Sequence, residues 1–101
     1  MTNLINAKEC KSIEEIRNQI DLIDEELVKL FAKRTEYVKE IVKYKEKNSD
    51  AIIARERKMH VIQQRSGWAE ELGLDREAYA QIFTILIEHN ISLEMNLIEN
   101  K

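Results

Sequence analysis

Proline is absent from this 101-residue chain, glycine occurs only at Gly67 and Gly73, and cysteine only at Cys10. Without proline and with so few glycines, little interrupts helices and almost nothing builds the tight turns of an all-β domain. One thiol cannot close an internal disulfide. Cys10, His60 and His89 stand far apart in sequence and offer no metal-ligand spacing, so no metal is expected. No stretch reaches the roughly 18 consecutive apolar residues of a membrane span. Residues 1–7 are too short and too polar for a signal peptide. A net charge of -3 gives no basic surface for nucleic acid. Acids and bases alternate along the chain instead of forming blocks, as they do on solvated helix faces. The expectation is one cytoplasmic, all-α domain over residues 1–101, with residues 1–11 as an N-terminal arm.

What the chain does have is helical periodicity, carried by 44% hydrophobic and 35% charged residues. Ser12 followed by Glu15 reads as a capping box that starts a helix near residue 13. Nothing interrupts that helix before the polar stretch at 47–50. A second helix is expected from about 51 to 66, with Asp50 as its cap, ending in the segment that carries Gly67 and Gly73, with a partial extra turn through 68–72. Asp75 can cap a third, marked by Tyr79, Phe83, Leu86, Ile87, Ile91 and Ile98. The first helix, at about 34 residues, would run roughly 50 Å. A compact domain of this size has a radius of gyration near ~13 Å. Such a helix would outrun its two partners, so a second copy of the chain is expected to cover it, giving an obligate homodimer.

Polar residues interrupt the apolar stripes. Ile13, Ile16, Ile20, Ile23, Leu27 and Leu30 recur at three- and four-residue steps, and Val38 and Ile41 continue them, yet Arg34 and Lys45 hold positions of the same phase. A cation on a buried stripe is costly unless an anion meets it. No run of acids supplies both partners, which points to a small dianionic ligand. On one uninterrupted helix Arg34 and Lys45 would lie three turns apart, about 16 Å along the axis. Arg17 lies ~25 Å before Arg34, so only an antiparallel partner could bring it to the same place. In the third helix Asn90 and Glu94 share the stripe of Phe83, Ile87 and Leu97. In the second, Arg55 and Glu56 fall at the phase of Ile52, Met59 and Ile62, taken as the inward side. Helix bundles build ligand sites from such convergent side chains. Taken singly, Arg34 could snorkel, Glu94 could simply pair with Lys45, and Asn90 could set packing register. Trp68, His60 and His89 read as packing or surface residues, and Cys10 as an ordinary thiol in the arm.

Over about residues 10 to 98 the chain resembles the all-α chorismate mutases of the AroQ type and the isochorismate-pyruvate lyases that share their fold. The resemblance rests on Ile16-Arg17 with Ile23-Asp24, the Ala32-Lys33-Arg34 segment, Lys45, Arg55-Glu56-Arg57, and Asn90 with Glu94, in that order on three helices. It implies an intertwined dimer with two identical sites, no cofactor, and a small-molecule substrate, chorismate or isochorismate. By position, Arg17 would be the arginine lent by the other protomer and Arg34 would pair with a substrate carboxylate. Lys45 would donate to the ether oxygen whose bond breaks. Arg55 would help hold the carboxylates, Glu56 would accept from the ring hydroxyl, and Asn90 would lie near a carboxylate. Glu94 would make the second ether-oxygen contact, often Gln in bacterial members. The rearrangement of chorismate needs no nucleophile, only a folded substrate and stabilised charge on that oxygen.

Two features depart from the pattern. Glu94 can donate a hydrogen bond only when protonated, so activity is expected to improve at mildly acidic pH. The acid that many mutases carry shortly before the Arg-Glu pair has no clear counterpart, with Asp50 or Ile52 in its place. Around Cys10-Lys11-Ser12 and Trp68-Ala69-Glu70-Glu71 the chain looks more like the lyase branch, whereas Arg55-Glu56-Arg57 looks like the mutase one. Mutase is the favoured reading, lyase the alternative, and a non-catalytic helical dimerisation module the third.

Overall fold

The computed structural model describes residues 4–45 and 51–100, with side chains in the second stretch from Arg57 onward. Three helices account for most of it: α1 (Ile13–Ile41), α2 (Ala51–Glu71) and α3 (Arg76–Glu99). Short 3-10 turns occupy Ala7–Glu9 and Val42–Tyr44, and the described residues contain no strand. Two compact units divide the chain, Met1–Tyr37 and Val38–Lys101.

The first unit is the arm and most of α1. Ser12 Oγ accepts the Glu15 N–H at 3.1 Å, as the capping box requires. Glu15 reaches back not to Ser12 but one residue further, accepting the Lys11 N–H at 2.6 Å. The Asn6 side chain caps the Ala7–Glu9 turn, and Gln19 Oε1 accepts the Ile5 N–H at 2.9 Å, so the arm doubles back along the start of α1. On the polar face Lys29 lies 3.2 Å from Glu25 and 3.7 Å from Glu26. The hydrogen bond to Glu25 and the charges of both acids push the Lys29 ammonium pKa upward. The apolar stripe is open: Ile13, Ile16, Ile20, Ile23, Leu27 and Leu30 retain 38% to 66% of their accessible surface.

The second unit is a hairpin of α2 and α3. Gly73, at φ 82°, stops α2 in a conformation a side chain would strain. Its N–H reaches the Glu70 carbonyl at 3.0 Å and the Leu74 N–H reaches Ala69 at 2.9 Å, the two bonds of a Schellman motif. Asp75 then caps α3, accepting the Ala78 N–H at 2.8 Å, as expected. The helices run antiparallel in a definite register. Arg76 approaches Glu70 at 3.4 Å beside the turn, and Lys58 meets Glu88 at 2.9 Å the same number of residues further along both.

Three expectations need correction. The second helix, expected over about 51–66 with a partial extra turn through 68–72, is one continuous helix to Glu71, with Gly67 inside it. The helical penalty of about 1 kcal/mol for that glycine is outweighed by packing of the neighbouring Ser66 and Ala69, both buried. Nor does Met59 mark the inward side of α2: it is 55% exposed, while Val61, Ser66 and Ala69 face inward. The first helix ends at Ile41, not near 46, and gives way to the 3-10 turn. The expected break at 47–50 and the Asp50 cap lie outside the described residues. Among the described residues the buried side chains are Val38, Val42, Val61, Ala69 and Ile87, together with the polar Ser66 and Asn90.

Candidate active site

Lys45 stands just past the 3-10 turn, its backbone extended at φ -108° and ψ 141°, and its N–H bonded to the Val42 carbonyl at 3.2 Å. Its axial place is therefore not that of a residue on an unbroken α1, and the spacing of about 16 Å inferred for one does not apply. The turn lies against α3, with Val42 its buried member. From there the Lys45 ammonium reaches Glu94 Oε1 on α3 at 2.8 Å. The side chains keep 30% and 14% of their surface exposed, so the pair is partly withdrawn from water. Of the two sources weighed for the anion that meets Lys45, a ligand or Glu94, this structure holds Glu94.

Asn90, one turn before Glu94 on the same helix, is 5% exposed. Phe83, Leu97 and Glu94 are partly buried and Ile87 is buried, which puts the polar residues on the core face of α3. Ser66 keeps its buried hydroxyl satisfied on its own helix, donating to the Ile62 carbonyl at 2.7 Å. Lys45, Asn90 and Glu94 are thus gathered in the second unit. Arg17, exposed, and Arg34, half-buried, belong to the first. Arg55 and Glu56 fall in the first turns of α2, and their side chains lie outside the described residues.

Of the side chains read as bland, Trp68 is half exposed, with Arg65 stacked 4.8 Å from its ring centre, and His60 and His89 are exposed. Sequence reasoning missed Val42. Its only signal was a β-branched Ile41-Val42 pair just before the lysine, a weak place for an α-helix.

A lysine and a carboxylate locked together beside a buried amide, on the facing surfaces of a helical unit, define an electrostatic site of the kind helix bundles build in their cores. The chorismate mutase type II family profile matches residues 16–95, and the chain belongs to that family. It is similar to an isochorismate pyruvate lyase of Pseudomonas aeruginosa, 34% identical over 85 residues, which span 84% of this chain and 83% of that one. It is also similar to a chorismate mutase of Methanocaldococcus jannaschii, 32% identical over 89 residues, covering 88% and 90% of the two chains. A T-protein of Haemophilus influenzae is 36% identical over 67 residues, 18% of its own length. No helix among the described residues is long and apolar enough to cross a membrane.

Proposed function

We propose that the chain is a cytoplasmic chorismate mutase, an isomerase that rearranges chorismate to prephenate as a single domain within a homodimer. The observation that carries the reading is the Lys45–Glu94 pair, set on the buried face of α3 beside Asn90 in a chain of the chorismate mutase type II family. In the rearrangement the ether C–O bond breaks as a C–C bond forms between the enolpyruvyl arm and the ring, within one molecule. Lys45 donates to the ether oxygen as negative charge grows there, and Glu94 stands at the second contact with that oxygen. Arg34 and Arg55 hold the carboxylates, Arg17 of the second protomer closes the site, Glu56 accepts from the ring hydroxyl, and Asn90 lies near a carboxylate. The register of the α2–α3 hairpin supports part of this, since carried along α2 it sets position 56 across from Asn90. The open apolar stripe of α1 supports the dimer.

A second reading is favoured by the Pseudomonas aeruginosa relative: elimination of pyruvate from isochorismate to leave salicylate. A paired assay separates them, with chorismate and isochorismate offered singly to the purified protein and prephenate, salicylate and pyruvate followed. Prephenate alone establishes the mutase. Rapid salicylate with pyruvate makes the chain a lyase, and silence on both substrates from a folded protein refutes both readings.

A further inference from the structure

The switch from α to 3-10 winding before Lys45 has a geometric consequence. An α-helix turns about 100° per residue and a 3-10 helix about 120°, with rises of ~1.5 and ~2.0 Å. Across the three residues Val42–Tyr44 the change rotates the chain beyond the turn by about 60° and advances it by about 1.5 Å relative to a continuing α-helix. Lys45 thus points where it does because the helix tightens just ahead of it. Lys43 and Tyr44 cannot hold that tightening, since both are exposed, Tyr44 at 88%. Val42 can: it is 6% exposed, in a turn packed on α3, and its carbonyl takes the Lys45 N–H. The element that anchors Val42 is also the one that carries Glu94.

We propose that Val42 is the positioning residue for Lys45, a packed side chain that fixes the 3-10 winding and so aims the ammonium at the reacting oxygen. The inference rests on the mutase reading of Lys45. Displacement of a catalytic group by about 1 Å can cost on the order of 100-fold in rate, and release of the turn moves the ammonium further than that.

The test compares chorismate turnover in Val42→Ala, Val42→Ile, Val61→Ala and Lys45→Met, each with its melting temperature. Val61, 4% exposed on α2, is a valine buried equally well outside the turn. Lys45→Met comes first: if it leaves turnover unchanged, the reading of Lys45 fails and the inference falls with it. With Lys45→Met impaired, Val42→Ala is expected to lower kcat by about 10- to 100-fold while KM stays within about threefold. Val61→Ala is expected to lose similar thermal stability but keep kcat, and Val42→Ile to keep most of it. Equal kcat losses in Val42→Ala and Val61→Ala, or no loss in Val42→Ala, overturn the positioning role and leave the mutase reading standing. Should Val42→Ala fail to fold, Val42→Thr keeps the shape and removes the apolar contact. A kcat drop without a KM change supports the role there, and an unchanged kcat overturns it.

Discussion

Replacing Leu27 by glutamate tests the quaternary reading at its most exposed point. Full burial of an aliphatic side chain is worth about 1.5–3 kcal/mol, so the exposed share of each stripe residue leaves about 1 kcal/mol to be gained. Leu27 itself is 44% exposed and its stripe neighbours range from 38% to 66%. Summed over Ile13, Ile16, Ile20, Ile23, Leu27 and Leu30 on two protomers, covering the stripe yields about 12 kcal/mol. Association costs about 4–15 kcal/mol. The two quantities are close, so one residue can decide the outcome. Leu27→Glu forfeits about 1 kcal/mol per copy and adds the desolvation of a carboxylate, several kcal/mol more. Even at a total of about 3 kcal/mol per copy, two copies lose about 6 kcal/mol, or roughly 10⁴-fold in Kd.

Sedimentation equilibrium across a dilution series reads this directly. The parent chain is expected to sediment as a dimer, and Leu27→Glu as a monomer or an unfolded chain. Leu72→Glu adds the same charge at a leucine that is 79% exposed in the α2–α3 turn, and should remain a dimer. Activity should follow the assembly, since Arg17 is proposed to act across it. A Leu27→Glu protein that stays dimeric at the parent's concentration would mean that the α1 stripe is not the interface.

Lys45→Met should leave the protein folded and reduce kcat on chorismate by about 10²- to 10³-fold, the usual cost of one donor to a developing oxyanion, as steady-state kinetics would reveal. Glu94→Gln keeps the size of the side chain and can donate its amide hydrogen to the ether oxygen, so it should hold kcat within about tenfold, while Glu94→Leu, with no polar atom, should lose about 10²-fold. An unchanged kcat in Glu94→Leu removes Glu94 from the donor role. Gly73→Ala should cost about 1–2 kcal/mol, because its φ of 82° is left-handed, and lower Tm by several degrees in a calorimeter. Asp75→Ala should cost about 1 kcal/mol by loss of the bond to the Ala78 N–H, with no effect on KM.

Local signals were the legible ones. Ser12, Glu15 and Asp75 mark chain positions where a backbone group needs a partner, and residue type and spacing reveal that, whereas residue type could not tell Gly73, which ends α2, from Gly67, which lies inside it. The core face of α3 was legible because Phe83, Ile87, Asn90, Glu94 and Leu97 share one phase over several turns. The inward side of α2 was not, because its buried residues are small or polar. Val61, Ser66 and Ala69 carry a weak hydrophobic signal, while the larger Met59 faces outward. The end of α1 was misread for a related reason. A change from 3.6 to 3.0 residues per turn confined to three residues is shorter than one helical period, so periodicity could not register it. The partner of Lys45 was legible as a possibility only, since which acid meets a cation depends on which helices pack.

The Lys45–Glu94 pair is difficult to explain as a stabilising feature. Withdrawing two charges partly from water costs several kcal/mol before their attraction returns it, and well-packed apolar residues often serve stability as well or better. The pair makes more sense as a resting arrangement of a site built for a charged guest. Glu94 holds the Lys45 ammonium at the face of α3, which spares a ligand part of the ordering that a free lysine would require. The same contact must then loosen for Lys45 to meet the ether oxygen. Glu94→Gln gives up the carboxylate charge that tethers Lys45 and should therefore raise KM for chorismate, and an unchanged KM in that variant refutes the tether.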